Sequence, residues 1–258
     1  MKLNVLLKIT LATVCLFAAG SLQATESQHK VVASIIEQEN AGKILAAMSR
    51  ARANFLRYAD NDLARLTYGR LLVKNGKADK AIGILTPLAN QHGDDWRPWF
   101  WLGSAQLMSK QLDDAAWSMD EALSREGNRV AIWVQRAVIE QERGHPQAAA
   151  NMLQVADSIE PGNIDVLVNY AYALERAGAL DKASVVYRRF LKASASSAEV
   201  GRLRSRVLTR LTSIENLRHQ QQTVAEAGPV EESETEALVD EDAGSELSSA
   251  DHDKDSLL

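Results

Sequence analysis

Two series of small residues recur along this chain at a constant spacing of 34, with no insertion or deletion between copies. Gly69, Gly103, Ala137 and Ala171 form the first, and Ala81, Ala115, Ala149 and Ala183 form the second, twelve residues later. Two series in fixed phase mark a chain built from one supersecondary unit that cannot bury its apolar face alone, so neighbouring units must stack. A stack of this kind presents an extended surface, which directs the search for function toward binding rather than catalysis.

The period divides the chain into units at 62–95, 96–129, 130–163 and 164–197. Each contains an apolar run broken near its middle by Asn75-Gly76-Lys77, Ser109-Lys110-Gln111, Gly144-His145-Pro146 or Ala177-Gly178-Ala179. Glycine supplies the left-handed turn that ends a helix, and proline cannot continue one. On either side of the break the apolar spacing is helical, as in Trp99, Leu102 and Gly103, and then Ala115, Met119 and Ala122. Each unit is therefore predicted to be two antiparallel helices. The small residues fall at the crossing, where a methyl group or less lets the axes approach. Leucine at Ala115 or Ala149 would overpack that crossing, at a cost of roughly 1–3 kcal/mol.

These residues resemble the tetratricopeptide repeat, whose pattern is Trp, two residues, Leu-Gly, then Ala with a large residue four on, then Pro. Trp99-Phe100-Trp101-Leu102-Gly103 with Ala115 and Ala122 is the nearest copy; Trp133, Ala137, Gly144, Ala149, Leu153, Ala156 and Pro161 give the next. Leu167, Tyr170, Ala171, Gly178, Ala183 and Tyr187 give the last, and Gly69, Gly76, Ala81 and Leu85 the first. The third unit departs from the pattern by placing Arg136 and Glu140 where apolar residues are wanted, which predicts looser packing of its first helix. The resemblance implies an all-α fold, a right-handed superhelical solenoid of helix-turn-helix repeats, to which the residues beyond the repeats, read below, add a C-terminal capping helix and a disordered acidic tail.

The same resemblance implies that the first helix of each unit lines a concave groove with its second, fifth, sixth, ninth, twelfth and thirteenth positions. Arg70, Lys74, Phe100, Trp101, Ser104, Met108, Gln135, Asn169, Tyr172 and Arg176 occupy such positions and are the candidate partner-binding residues. Phe100 and Trp101 are expected to be partly exposed, whereas Trp99, Leu102, Trp133, Leu167 and Tyr170 pack between helices. Arg70, Lys74 and Arg176, with Arg202 and Arg206 further on, favour a partner segment carrying acidic groups. The family's carboxylate-clamping subclass requires a Lys/Asn/Asn/Lys/Arg set of which only Asn169 is present, so that recognition is not expected.

Beyond the units, Lys2 and Lys8, the apolar stretch from Ile9 to Gly20 and the small-residue site Leu22-Gln23-Ala24 read as a signal peptide over 1–24. Its apolar core is short for a span, which takes about 20 residues; an uncleaved signal anchor is the alternative. The only cysteine, Cys15, lies inside this leader after Val14, so lipidation is not expected and the mature chain has no thiol. That absence of a disulfide framework fits a bacterial periplasm better than a secreted eukaryotic domain. Residues 25–61 read as a degenerate helical repeat at one end of the stack. Residues 198–222 read as an amphipathic capping helix with Arg202, Arg204, Arg206, Arg210 and Arg218 on its polar side.

From Thr223 to the end, twelve acidic residues stand against one lysine, a composition that cannot bury enough apolar surface to order itself. Residues 25–222 carry 26 basic and 22 acidic groups, so a mildly basic stack is joined to an acidic tether that could visit the groove.

The five histidines fall in termini, turns and tail without a partner at metal-ligand or catalytic spacing, and no phosphate loop follows a strand. No cofactor, metal, nucleic acid or enzymatic activity is predicted. The expectation is a non-enzymatic interaction scaffold or assembly factor of the bacterial envelope that binds a protein or peptide partner. The alternatives are an accessory subunit of a periplasmic enzyme complex and a membrane-tethered adaptor.

Overall fold

In the computed structural model, residues 27–91, 93–195 and 200–227 are described; the leader with Cys15 and the acidic tail beyond 227 lie outside them. The chain divides into two compact units, Met1–Glu215 and Asn216–Leu258. Eleven helices follow one another among the described residues. They are α1 (27–40), α2 (Ile44–Arg57), α3 (Asp62–Lys74), α4 (Ala78–Gln91), α5 (Trp96–Met108), α6 (Leu112–Arg125), α7 (Val130–Glu142), α8 (Pro146–Ile159), α9 (Ile164–Arg176), α10 (Leu180–Ala193) and α11 (Gly201–Ala227). Of the second unit, only the last turns of α11 are described. The fold is all-α, a helical-repeat solenoid. Helix α11 runs on to Ala227, so the boundary expected at Thr223 falls inside a helix.

Asp62, Trp96, Val130 and Ile164, each 34 residues apart, are the first residues of α3, α5, α7 and α9. Asn61, Asp95 and Asn163 cap three of these helices by accepting from backbone N–H groups of the first turn, and Arg129 at the fourth has no such bond.

The breaks inside the units are one turn repeated. The amide of Lys77 donates to the carbonyl of Leu72, and Gln111 to Gln106, His145 to Glu140 and Ala179 to Leu174 repeat that bond at 2.8–2.9 Å. The preceding residue sits in the left-handed region, at Gly76, Lys110, Gly144 and Gly178. This is the glycine-favouring helix end that satisfies the last carbonyls. A fifth copy lies upstream: Gly42 has φ of 72°, and Lys43 donates to Gln38 at 2.9 Å. Residues 27–57 thus fold as a full hairpin in phase with the others.

Packing inside that first hairpin is inverted. In later units a small residue on the first helix faces a large one sixteen positions on: Gly69 with Leu85, Gly103 with Met119, Ala137 with Leu153, Ala171 with Tyr187. A Cβ on Gly69 would stand 2.6 Å from Leu85 Cδ2, and one on Gly103 3.0 Å from Met119 Cε. In the first hairpin the equivalent pair is Ile35 and Ala51, both fully buried in one cluster with Ala47 and Leu71. The volume at the crossing is kept while its owner changes helix, and cores tolerate such compensated swaps.

Consecutive helices pack along the whole series from α2 to α10, and the odd helices also touch each other, α3 with α5, α5 with α7, and α7 with α9. The odd helices therefore line the tighter side of the stack. At its end, Val207, Leu211 and Ile214 of α11 join the core formed by Ala183, Tyr187 and Phe190.

The third unit is not loose. Arg136 and Glu140 are both buried and pair with each other; Arg136 Nε also donates to Asp120 Oδ1 at 2.8 Å. Arg143 Nη1 and His145 Nδ1 reach the same Glu140 carboxylate at 3.2 and 2.8 Å. Buried charge is accommodated here because each member is paired and hydrogen-bonded. Burial works against ionisation of Glu140, but the bonds from Arg136 and His145 outweigh it and hold its carboxyl below the usual range.

Candidate partner-binding face

On each odd helix, residues at i, i+4, i+7 and i+11 share one stripe directed away from the paired helix. On α5 this stripe carries Arg97, Trp101, Ser104 and Met108; on α9 it carries Asp165, Asn169, Tyr172 and Arg176.

The structure separates the ten candidates into three groups. Arg70 and Lys74 are already engaged. Arg70 Nη2 and Lys74 Nζ lie 2.6 and 2.5 Å from the two oxygens of Glu39, whose side chain is only 9% exposed. Burial disfavours the Glu39 charge, yet these two cations hold its carboxyl below the usual range. The positive patch expected at this end is thus halved from α1, where one carboxylate serves both cations, by a residue that the sequence pattern does not connect because residues 25–61 carry no clear repeat signature.

Phe100 and Ser104 belong to the packed interior. Phe100 is buried within the core cluster of α3 to α7, and the Ser104 hydroxyl donates to the Phe100 carbonyl at 2.8 Å. The expectation that Phe100 is partly exposed is corrected: it edges against Trp96 and Trp101, at centroid distances of 5.9 and 5.1 Å, and closes the seam between units. Trp101 itself is half-buried, packed on the same cluster.

The remaining candidates are available. Met108 is 47% exposed, Arg176 is exposed, and Gln135, Asn169 and Tyr172 are half-buried. Asn169 donates from Nδ2 to the Asp165 carbonyl at 2.7 Å, which fixes its amide on the stripe.

Two openings receive Gln135, Asn169 and Tyr172. One, of about 330 Å³, is lined by Phe100, Val134, Gln135, Glu160 and Asp165 among others. The other, of about 390 Å³, lies between α9 and the start of α11. Val168, Asn169, Tyr172, Tyr187, Leu203, Arg206, Val207 and Arg210 line it.

Here two of the five arginines assigned to a polar outer side point inward. Arg204 Nη1 donates to the Leu191 carbonyl and Ser194 Oγ at 2.7 and 2.9 Å. Arg210 places its guanidinium 4.9 Å from the Tyr172 ring centre and pairs with Glu175 at 2.8 Å. Tyr187 donates its hydroxyl to the other Glu175 oxygen at 2.6 Å. Burial first, and then this bond, push the Tyr187 hydroxyl well above its ordinary range, so it remains a donor. Among the described residues no group of three or more His, Cys, Asp or Glu could hold a metal, and no helix is long and apolar enough to cross a membrane.

The family model described as tetratricopeptide repeat matches residues 140–207. Those residues therefore match the tetratricopeptide repeat. No curated protein matches its sequence. Among solved structures, the tetratricopeptide-repeat protein TTC0263 of Thermus thermophilus superposes with a TM-score of 0.62 at 15% identity, over 70% of this chain and 99% of that one. A MamA protein gives 0.55 at 18% identity, over 68% of this chain and 96% of that one. MamA from Desulfovibrio magneticus RS-1 gives 0.57 at 10%, over 66% and 97%. At these identities the likeness is one of fold. Tetratricopeptide repeats generally act as non-catalytic scaffolds for protein partners.

Proposed function

We propose that this tetratricopeptide-repeat protein is a non-enzymatic scaffold or assembly factor of the bacterial envelope, exported to the periplasm, that holds an extended or helical segment of a partner protein along its odd helices. The observation that carries the reading is the Trp101–Met108 stripe of α5. It leaves a methionine nearly half exposed beside a half-buried indole, on the helix set that packs closest together. Exposed apolar and aromatic groups of this kind favour interface centres. The leader pattern of residues 1–24 supports export.

A photo-crosslinking residue at Met108 tests both halves. The expected outcome is a discrete crosslinked partner from the periplasmic fraction, with mature protein starting at Thr25 by intact mass. The same group at Trp117, exposed on α6, is expected to capture nothing. Equal capture at both sites, or none at Met108, removes the binding face; protein retained in the cytoplasm removes the envelope assignment.

A further inference from the structure

The pocket between α9 and α11 has an apolar floor and one cation to spare. Val168, Leu203 and Val207 form walls, and Tyr187, fully buried, forms the base. Tyr172 is held in place by Arg210, whose own charge is taken by Glu175. Arg206 lines the same pocket one turn before Arg210, is exposed, and has no ion pair or side-chain hydrogen bond among the described residues. One turn earlier still, Arg202 is likewise exposed. The roles are therefore divided between neighbouring arginines: Arg210 orders the aromatic wall, and Arg206 remains for a ligand.

We propose that this pocket receives an internal acidic segment of the partner. An apolar side chain enters between Tyr172, Leu203 and Val207, and the carboxylate of an adjacent Asp or Glu side chain pairs with Arg206. The inference rests on the scaffold reading above. Arginine suits this task because its fork can hold both carboxylate oxygens while its flat face lies on apolar neighbours. Direction follows from α9. Asp165 stands exposed at the first turn of the stripe and Arg176 at the last, about 16 Å apart at the helical rise of 1.5 Å per residue. A carboxylate is repelled at the first end and drawn to the other, so the acidic part of the segment lies toward Arg176 and Arg206.

The test is selection of a random twelve-residue peptide library, displayed without free C-termini, on the full chain. Enriched peptides are expected to pair a Leu, Phe or Trp with an adjacent Asp or Glu. Isolated as amidated peptides, they should bind about tenfold more weakly to Arg206→Gln, the scale of one lost charge-assisted contact. Replacing the peptide's carboxylate by its amide should cost the same in the native chain and nothing further in Arg206→Gln. Arg206 is exposed and unpaired, so a matching thermal melt of the variant shows that fold is not the cause.

Enriched peptides that ignore Arg206→Gln but are lost in Met108→Ala overturn the pocket and leave the scaffold reading standing. Acidic peptides enriched only from a library with free C-termini overturn the internal-segment assignment. No enrichment from either library overturns both readings.

Discussion

Trp133 donates its indole N–H to the carbonyl of Gly127 at 2.7 Å. One period earlier, Gly93 gives its carbonyl to Arg125 Nε instead, and the indole nitrogen of Trp99 is buried without an acceptor. Arg125 also lies over the Trp99 ring, 5.2 Å from its centre, while Trp117 meets the ring edge-on at 4.9 Å. The two tryptophans hold the same place in the sequence pattern and different places in the energy balance. A buried donor left unpaired costs about 1–3 kcal/mol, and a made bond contributes about 1 kcal/mol. Trp99→Phe should therefore destabilise less than Trp133→Phe by on the order of 1 kcal/mol, measured by urea unfolding. An equal or larger loss at Trp99 would show that Arg125 repays the indole in full.

Lys110 occupies the left-handed position that glycine fills in the other four turns, with φ of 59°. A side chain there costs about 1–2 kcal/mol. Its ammonium reaches Glu142 at 2.6 Å, but both groups are well exposed, and pairs of this kind contribute little. Lys110→Gly is expected to raise stability by about 1 kcal/mol. A loss of stability would mean the ion pair outweighs the backbone strain.

Glu39 and Glu140 both have carboxyl groups held below the ordinary value of 4.5. A depressed carboxyl contributes stability above its unfolded-state value and loses it as pH falls through the folded-state value. Stability should be level at neutral pH and decline progressively below about pH 4.5. Glu140→Gln should flatten that decline while costing on the order of 2 kcal/mol at pH 7, because Arg136 keeps Asp120 but loses its buried partner. Thermal melts between pH 3 and 7 on both chains read the difference; parallel curves would exclude Glu140 as a source of the acid loss.

The Gly69–Leu85 contact has no room for another carbon, whereas Ile35–Ala51 shows that a larger residue fits on the first helix if its partner shrinks. Gly69→Ile alone should overpack, losing at least 1–3 kcal/mol. Adding Leu85→Ala should restore part of that loss, giving a favourable coupling in a double-mutant cycle. Additive losses would mean the inverted packing depends on its own surroundings near α1.

That inversion also explains what could and could not be read from sequence. The period, the helix breaks and the small residues at Gly69, Gly103, Ala137 and Ala171 are local chemistry, and the helices start where they indicate. The first hairpin kept the turn at Gly42 and the alanine at Ala47 but moved its bulk from one helix to the other. A pattern read one position at a time sees two mismatches where the core sees one conserved volume. Phe100 and Arg210 were misplaced for a related reason. Groove positions are inherited from the repeat, yet whether a side chain turns inward depends on the side chains beside it: Trp96 on the same helix for Phe100, Tyr172 and Glu175 on α9 for Arg210. Glu39 lay hidden in the hairpin whose pattern was inverted.

The ties between units are short in sequence: Glu39 to Lys74 and Glu175 to Arg210 each span 35 residues, one unit plus one. Each hairpin closes on itself and then clips to the next, so among the described residues the helices that pack are near neighbours in sequence. Loss of one hairpin therefore removes contacts only from its neighbours, and unfolding can start at an end and advance unit by unit.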